Sequence, residues 1–523
     1  MTESDLAAAV RDALAIDATT FHRRAAEEAD VLIEGLAEGV FDNPQAIVGF
    51  EYEFYAVDDE TSALRRVPRR LLEYIGFEKE LGLHNAEMST SPQPLNADGL
   101  LAQEAEIRSR LATALDCTRP EGITLVSDGL WTIPPEGETA QDYLTDYVED
   151  GGIRIATNMS DSVRYHAMAN AEGETTPSQR LDVPNVSLVS ETVMLESLIT
   201  SIQPHYQVPH ADDLPTYFNY ALRIAGPLLA MGANSPFFPP DLYDVRESSD
   251  SRADQNSKGS RDDVLDERIL DDAWMANRIP VFESVLNESP EGKVRFPHDL
   301  SSVEEAVDRV VADDTIVPMP AGTSDRFDDE FAHFRLKHGT YWRWVRPVFD
   351  GATRSAANAR IEFRPIGAQP TVRDSVAFLA VFAGLLESLP RREHPVVGLD
   401  WNDARENFYT AMRDGLAADL SWITTNGEET TDYETIYSDL FDHARDGLKL
   451  RGLSDTEVEK YLWPLRHRAR HGRSPAEWRH ARVEERVEDG EPIGEAIHAV
   501  QREYISHQRE TLLEGGFADW DTR

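Results

Sequence analysis

Lysine is nearly missing from this chain. Lys79, Lys258, Lys293, Lys337, Lys449 and Lys460 are all there are among 523 residues. Arginine carries the remaining positive charge, and 51 Lys and Arg face 95 Asp and Glu, a formal net charge of −44. Such a surface repels polyanions, which excludes nucleic acid and anionic membrane surfaces as partners. Cysteine is scarcer still. Cys117 stands alone, so an intrachain disulfide framework and a cysteine-based zinc site are excluded, and its place after a helical stretch reads as a small buried hydrophobe. No apolar run approaches the roughly 20 residues that cross a bilayer. The opening MTESDLAAAVRDAL has no basic stretch followed by an apolar core and does not read as a secretory signal. There is no GxxxxGK[ST], no GxGxxG ahead of a helix and no solenoid-length repeat, so any ATP is held without the common glycine-rich cradle.

What is present is ample apolar content. With 41% hydrophobic residues and nine Trp, the chain is not a disordered acidic polymer. The acidic, arginine-biased composition reads as salt adaptation, since molar salt shrinks the reach of self-repulsion to about 3 Å. It points to a cytoplasmic protein in a high-salt cytosol.

Along the chain, residues 1–45 read as helical. Residues 46–58, AIVGFEYEFYAVD, read as a strand ending at the turn-like DDETS. An amphipathic helix is expected over 99–117, strands over 120–135 and 183–208, a helix over 213–231 followed by the loop GANSPFFPP, a strand over 358–366 and a helix over 371–389. From about 400 onward the pattern is helical and strongly charged. Residues 247–263, polar and Ser-rich, are a candidate lid or a solvated surface insertion.

Four places hold candidate chemistry. Glu51 and Glu53 are two apart on a strand, so both carboxylates leave one face, and their repulsion calls for a compensating cation. Mg²⁺ suits that role, because it prefers hard oxygen ligands and sits between carboxylates and phosphates. In Arg360–Ile361–Glu362–Phe363–Arg364 the same alternation groups Arg360, Glu362 and Arg364, either as a structural ion-pair ladder or as a metal ligand with phosphate-binding arginines. Gln203, His205 and Gln207 share a face of another β-like segment. Glu87 lies in the polar stretch HNAEMSTSP and by itself carries no signal.

The order and spacing of GFEYEFYAVD, AEMSTSP, SVRYHAM, IQPHYQV, ANSPFF and ARIEFRP resemble the glutamate–cysteine ligases of the second family, in the glutamine synthetase-like superfamily. The resemblance spans roughly residues 46–390. It implies an α+β fold, a curved and mainly antiparallel sheet forming a funnel with helices outside it. It divides the chain into an N-terminal helical segment (1–45), a catalytic domain (46–390) and a helical C-terminal subdomain (391–523) packed on the catalytic part. It implies that Glu51, Glu53, Glu87 and Glu362 bind Mg²⁺ or Mn²⁺, with Gln203 or His205 as a further ligand, and that Arg364 contacts phosphate. Arg164 and Tyr165 match a pair near the glutamate substrate, Asn234 and Ser235 a loop against the site, and Arg246 an arginine downstream of it. A second phosphate-binding arginine is expected among Arg343, Arg346 and Arg354. Many relatives have H-x-H where Gln203 and His205 stand, and their Gly-x-x-Thr-Gly after the ANSPF loop is replaced by Pro239–Pro240–Asp241–Leu242–Tyr243.

The implied activity is an ATP- and Mg²⁺-dependent ligase of thiol biosynthesis in a halophilic archaeon, making γ-glutamylcysteine from glutamate and cysteine through γ-glutamyl phosphate. A different amine acceptor is the alternative. A binding homologue without catalysis would be expected to have lost metal positions, and Glu51, Glu53, Glu87 and Glu362 are all intact. A metal-dependent hydrolase would need a ligand set rich in His and Asp, which these segments lack.

Overall fold

The computed structural model describes residues 2–171, 179–243, 261–287, 292–322 and 324–522. Its centre is a seven-stranded antiparallel sheet. The strands are β1 (Ile47–Asp58), β2 (Asn85–Ser89), β3 (Gln93–Pro94), β4 (Ile123–Val126), β5 (Ile202–Gln207), β6 (Val345–Asp350) and β7 (Asn358–Phe363). They run in the order β6-β7-β5-β1-β2, with β3 and β4 pairing the two ends of β1. Helices surround the sheet, so the architecture is α+β.

The alternation legible in β1 decides which face does what. Phe50, Tyr52 and Phe54 are buried, whereas Gly49, Glu51 and Glu53 on the other face are only partly covered. The apolar face packs against the helix Val372–Ser388, whose first turn is capped by Thr371 accepting from the Asp374 N–H at 3.2 Å. Phe363 of β7 stacks on Phe382 of that helix at 4.7 Å, and the Tyr206 hydroxyl of β5 donates to Glu387 at 2.6 Å. Burial of one face this completely pins the register, since a slip of one residue would turn every carboxylate into the core.

The chain beyond residue 390 returns to the sheet. Arg479 makes an ion pair with Asp128 at 2.6 Å, with both side chains almost fully buried. Tyr55 of β1 and Gln501 each donate to the same carboxylate, at 2.8 and 3.0 Å. Gln508 brackets Ser127, donating to its carbonyl at 2.6 Å and accepting from its N–H at 3.0 Å. One continuous hydrophobic cluster runs from Leu6 to Trp520, with members from all three expected segments.

Two strand expectations are corrected. The stretch 183–208 is not one strand. It holds half of the hairpin Gln179–Val183 and Val186–Ser190, a short 3₁₀ turn Val193–Leu198 and β5. Asn185 takes a left-handed backbone (φ 60°) that turns the chain after Pro184. Of 120–135, only Ile123–Val126 pairs as a strand. The expected helices appear as Ala97–Thr118, Leu214–Gly232 and Val372–Ser388, and the charged C-terminal part is helical apart from the small hairpin Trp422–Ile423 and Glu429–Thr430.

Candidate active site

On the open face of the sheet, neighbouring strands place their polar residues in one band. Register puts Gln203 opposite Glu51, Glu87 opposite Glu53, His205 opposite Glu362 and Arg346 opposite Glu362. Glu51, Glu53 and Glu87 line one cavity of about 170 Å³, together with Glu80, Glu196, Gln203, Arg164, Tyr165, Arg278, Trp342 and Arg364. Five carboxylates thus face three guanidinium groups.

The carboxylates fall into two electrostatic classes. Burial works against ionisation of Glu362, but Arg346 and Arg364 outweigh it and hold the group well below the usual carboxylate range. Arg346 Nε donates to Glu362 Oε1 at 2.9 Å, and Arg364 Nη1 bonds the same oxygen. Glu51 is likewise held low against burial, chiefly by His205. The others go the opposite way. Burial raises Glu53 although Arg278 and Ser201 oppose it, raises Glu87 well above the normal value with help from Glu51 and Glu80, and pushes Glu80 to about 8 and Glu196 to about 7. Crowded carboxylates without enough positive charge hold on to protons, or bind cations in their place.

That arrangement fits a divalent ion. The donor atoms of Glu51, His205 and Glu362 lie within 4.8 Å of one another. His205 Nε2 is buried, has no hydrogen-bond partner and lies 3.4 Å from Glu51 Oε1. Arg360 Nε donates to the other ring nitrogen, Nδ1, at 3.2 Å, so the neutral ring carries its proton on Nε2. Coordination through Nε2 would therefore require Arg360 to turn its N–H away. Gln203 is already engaged on both sides: its oxygen accepts from Arg364 at 2.8 Å and its amide nitrogen donates to Glu53 at 3.0 Å. The Ser201 backbone N–H and hydroxyl hold Glu53 at 2.7 and 2.9 Å.

A second group, His394, Asp439 and His443, also has donor atoms within 4.8 Å. Its members satisfy one another. Asp439 accepts from Trp422 at 2.8 Å and Thr425 at 2.7 Å and pairs with His394 at 3.0 Å, while His443 contacts Ser388 at 3.0 Å and Thr425 at 2.8 Å. Val396 N–H donates to His394 Nδ1 at 3.1 Å. This is a closed hydrogen-bond network that locks the loop after residue 390.

A family model described as glutamate-cysteine ligase family 2 (GCS2) matches residues 47–508. The chain belongs to that family. Membership places this GCS2 protein among the carboxylate–amine ligases. A search of curated proteins returns no match to the sequence. Among solved structures, a glutamate–cysteine ligase from Francisella tularensis in complex with AMP is similar at 12% identity and a TM-score of 0.44, covering 90% of this chain and 91% of that one. A bifunctional glutathione synthetase from Pasteurella multocida aligns at 13% identity and a TM-score of 0.44, covering 92% of this chain and 55% of that one. The complex of the prokaryotic ubiquitin-like protein Pup with its ligase PafA aligns at 10% identity and a TM-score of 0.36, over 86% and 69% of the two chains.

Within this GCS2 chain, the expected residues are partly brought together. Glu51, Glu53, Glu87, Gln203, Arg164, Tyr165 and Arg364 line the cavity, and Glu362 and His205 adjoin it through Glu51. Asn234 and Ser235 do not line it. Asn234 is buried behind, donating to the Ala368 carbonyl at 2.7 Å and to Tyr504 at 3.1 Å. Ser235 Oγ accepts from the Arg278 N–H at 3.1 Å, so it supports a lining residue. Arg246, and residues 247–260 of the candidate lid, lie outside the described residues. Of the three arginine candidates only Arg346 reaches the carboxylates. Arg343 pairs with Asp313 at 2.7 Å and Arg354 with the exposed Glu38 at 2.9 Å.

Arg278, Glu80, Glu196 and Trp342 escaped the sequence reading. Arg278 is buried, its Nη1 donates to the Arg364 carbonyl at 2.8 Å, its Nε has no partner, and no described carboxylate forms an ion pair with it. Burial lowers it to about 10, which leaves it charged at neutral pH. The signal that could have found it is an arginine inside the apolar run IPVF and its flanks, just as Glu196 interrupts VMLESL. Glu80 gives no such signal.

Proposed function

We propose that this protein joins the γ-carboxylate of glutamate to an amine with ATP and Mg²⁺ (or Mn²⁺), in the manner of a glutamate–cysteine ligase, in a high-salt cytosol. The observation that carries the reading is the convergence of Glu51, Glu53 and Glu87 from β1 and β2 on one cavity with Arg164, Arg278 and Arg364, in a chain of this family.

The chemistry follows from the charges. A carboxylate is a poor electrophile, so the γ-phosphoryl group of ATP first moves to the γ-carboxylate oxygen, giving γ-glutamyl phosphate and ADP. Bound divalent ions, held by Glu51, Glu53, Glu87 and Glu362, would supply charge neutralisation for the transferring group. Arg364, fixed by Glu362 and Gln203, stands where the same charge develops, and Arg346 holds Glu362 from the other side. Arg278, with no carboxylate of its own among the described residues, suits the anionic end of the amino-acid substrate. The acceptor nitrogen then attacks the acyl carbon, the C–N bond forms, the C–O bond to phosphate breaks and the amine gives up its proton. Glu51 also lines a cavity of about 280 Å³ on its other side, beside His205 and Arg360, which offers the nucleotide a way in.

Cysteine is the acceptor the family name suggests, and another amine is the second reading. Incubation in molar salt with ATP, Mg²⁺, glutamate and cysteine, followed by mass spectrometry, tests the proposal. γ-Glutamylcysteine is the expected product, and an amide with another amine but none with cysteine selects the second reading. No ATP-dependent amide with any amine rejects both.

A further inference from the structure

The cavity holding the carboxylates is too small for everything the reaction brings together. Its roughly 170 Å³ must take the phosphates and the glutamyl group, which leaves little room for the body of an acceptor. A second cavity of about 280 Å³ lies directly behind it. Glu80 and Asn85 line both, so the two cavities meet at these side chains.

The second cavity has a consistent chemical character. Leu72, Leu83, Ile155 and Met159 form apolar walls. Its two basic groups are already spoken for, since Lys79 and Arg69 both pair with Asp161. Glu80 has no ion pair among the described residues and accepts only from the neighbouring Leu81 N–H. The group left open toward the cavity is therefore a carboxyl, at the edge shared with the reaction centre. Two further groups are polar, more than nine-tenths buried and unpartnered: His166 Nδ1 and Ser160 Oγ, both on lining residues. His166 Nε2 contacts the Ser160 carbonyl at 3.0 Å and must donate there, which leaves Nδ1 as an unused acceptor. A buried acceptor without a donor is costly unless a ligand supplies one. His166 belongs to the SVRYHAM segment, whose Arg164 and Tyr165 line the reaction centre while His166 faces the other way.

We propose that this second cavity receives the body of the acceptor, and that the acceptor is a primary amine with an apolar substituent that ends in a hydrogen-bond donor. Its amino group lies against the Glu80 carboxyl at the edge facing the reaction centre, its apolar part lies between Leu83 and Met159, and its far donor meets His166 Nδ1. The inference rests on the ligase reading and favours its second acceptor, an amine other than cysteine, because a small amine would leave the cavity unused.

The test uses the full chain in molar salt with two acceptors, tyramine, which has all three features, and hydroxylamine, which needs no cavity. Val148 lines the cavity from its exposed rim and can be enlarged without disturbing the core. The wild type is expected to form γ-glutamyl-tyramide, and Val148→Trp to raise the KM for tyramine tenfold or more while hydroxamate formation from hydroxylamine is unchanged. Calorimetric titration with tyramine alone should show one saturable site in the wild type and none in Val148→Trp. His166→Leu should weaken tyramine more than phenylethylamine, which lacks the hydroxyl. Hydroxamate formation with no use of tyramine overturns this inference and leaves the ligase reading intact. No product from either amine overturns the ligase reading, and calorimetry then decides the cavity alone: no saturable tyramine site, or one that Val148→Trp leaves unaltered, rejects it.

Discussion

Glu53 and Glu87 stand directly opposite each other in the β1–β2 ladder. Like charges directly opposite each other in an antiparallel pair are destabilising, and here both groups are pushed toward the protonated form. The cation-binding role proposed above would compensate that repulsion. Glu87→Gln should therefore melt slightly higher than wild type without divalent ions, and should lose most of the stabilisation that MgCl₂ gives the wild type. Glu53→Gln should keep the fold and abolish ATP-dependent amide formation. Melting curves with and without MgCl₂ check the first pair of outcomes, and full turnover in Glu53→Gln would remove the metal assignment.

The raised acids also set a pH dependence. Glu80 titrates at about 8 and Glu196 at about 7 in the folded chain, against 4.5 when unfolded. The folded state therefore holds more protons than the unfolded state between these values, and stability falls as pH rises through that window. This contribution is fully present below 4.5 and gone above about 8. Protons compete with cations for the same cavity, so the Mg²⁺-dependent gain in melting temperature should grow over the same range. Metal-free protein should thus lose stability with rising pH while the increment from Mg²⁺ rises. Parallel slopes in the two melting series would contradict the assignment.

How far the sequence could be read depended on whether a signal was local. The E-x-E alternation of β1 and the R-I-E-F-R run of β7 show their faces directly, because side-chain direction in a strand has period two. The motifs put Glu87 in the site although its own segment says nothing about chemistry. Long-range partners were not legible. The apolar flank of Arg278 marks it as buried, but nothing near it in the chain says which cavity it will line, since its place comes from Ser235 holding its backbone N–H. Asn234 was expected at the substrate, yet its side chain serves the packing of Ala368 and Tyr504 behind the cavity. The turn at Asn185 was hidden because the β-branched residues on both sides of it read as one continuous strand.

Arg278 gives the sharpest test of what the sequence alone did not show. A buried guanidinium with no contact ion pair among the described residues, and only the field of Glu53 and Glu196 to offset its burial, is open to an anion from outside the chain. Arg278→Met should raise the KM for glutamate about tenfold or more, since a hydrogen bond to a charged group contributes about 1.5–3 kcal/mol. Ser235→Ala removes only the acceptor that seats the backbone of Arg278, and should cost about 1 kcal/mol, roughly a fivefold effect in the same direction. Equal glutamate KM values for wild type and Arg278→Met would show that the arginine serves the fold and not the substrate.

Asp128 joins the two ends of the chain. It accepts from Tyr55 of β1 and from Gln501, and pairs with Arg479. Replacing one partner leaves the other charge buried and uncompensated, which costs about 3–5 kcal/mol. Arg479→Met should therefore lower the stability of the whole chain by about that amount, and the transition should remain single. The helices beyond residue 390 share the hydrophobic cluster of the sheet, so loosening their anchor should withdraw support from β1 itself. The carboxylates on the far face of β1 would feel this, and the Mg²⁺-dependent increment in melting temperature should shrink in Arg479→Met although the substitution touches no cavity residue. Two separate unfolding transitions, with the increment from Mg²⁺ unchanged, would instead show that the C-terminal helices form an independent unit.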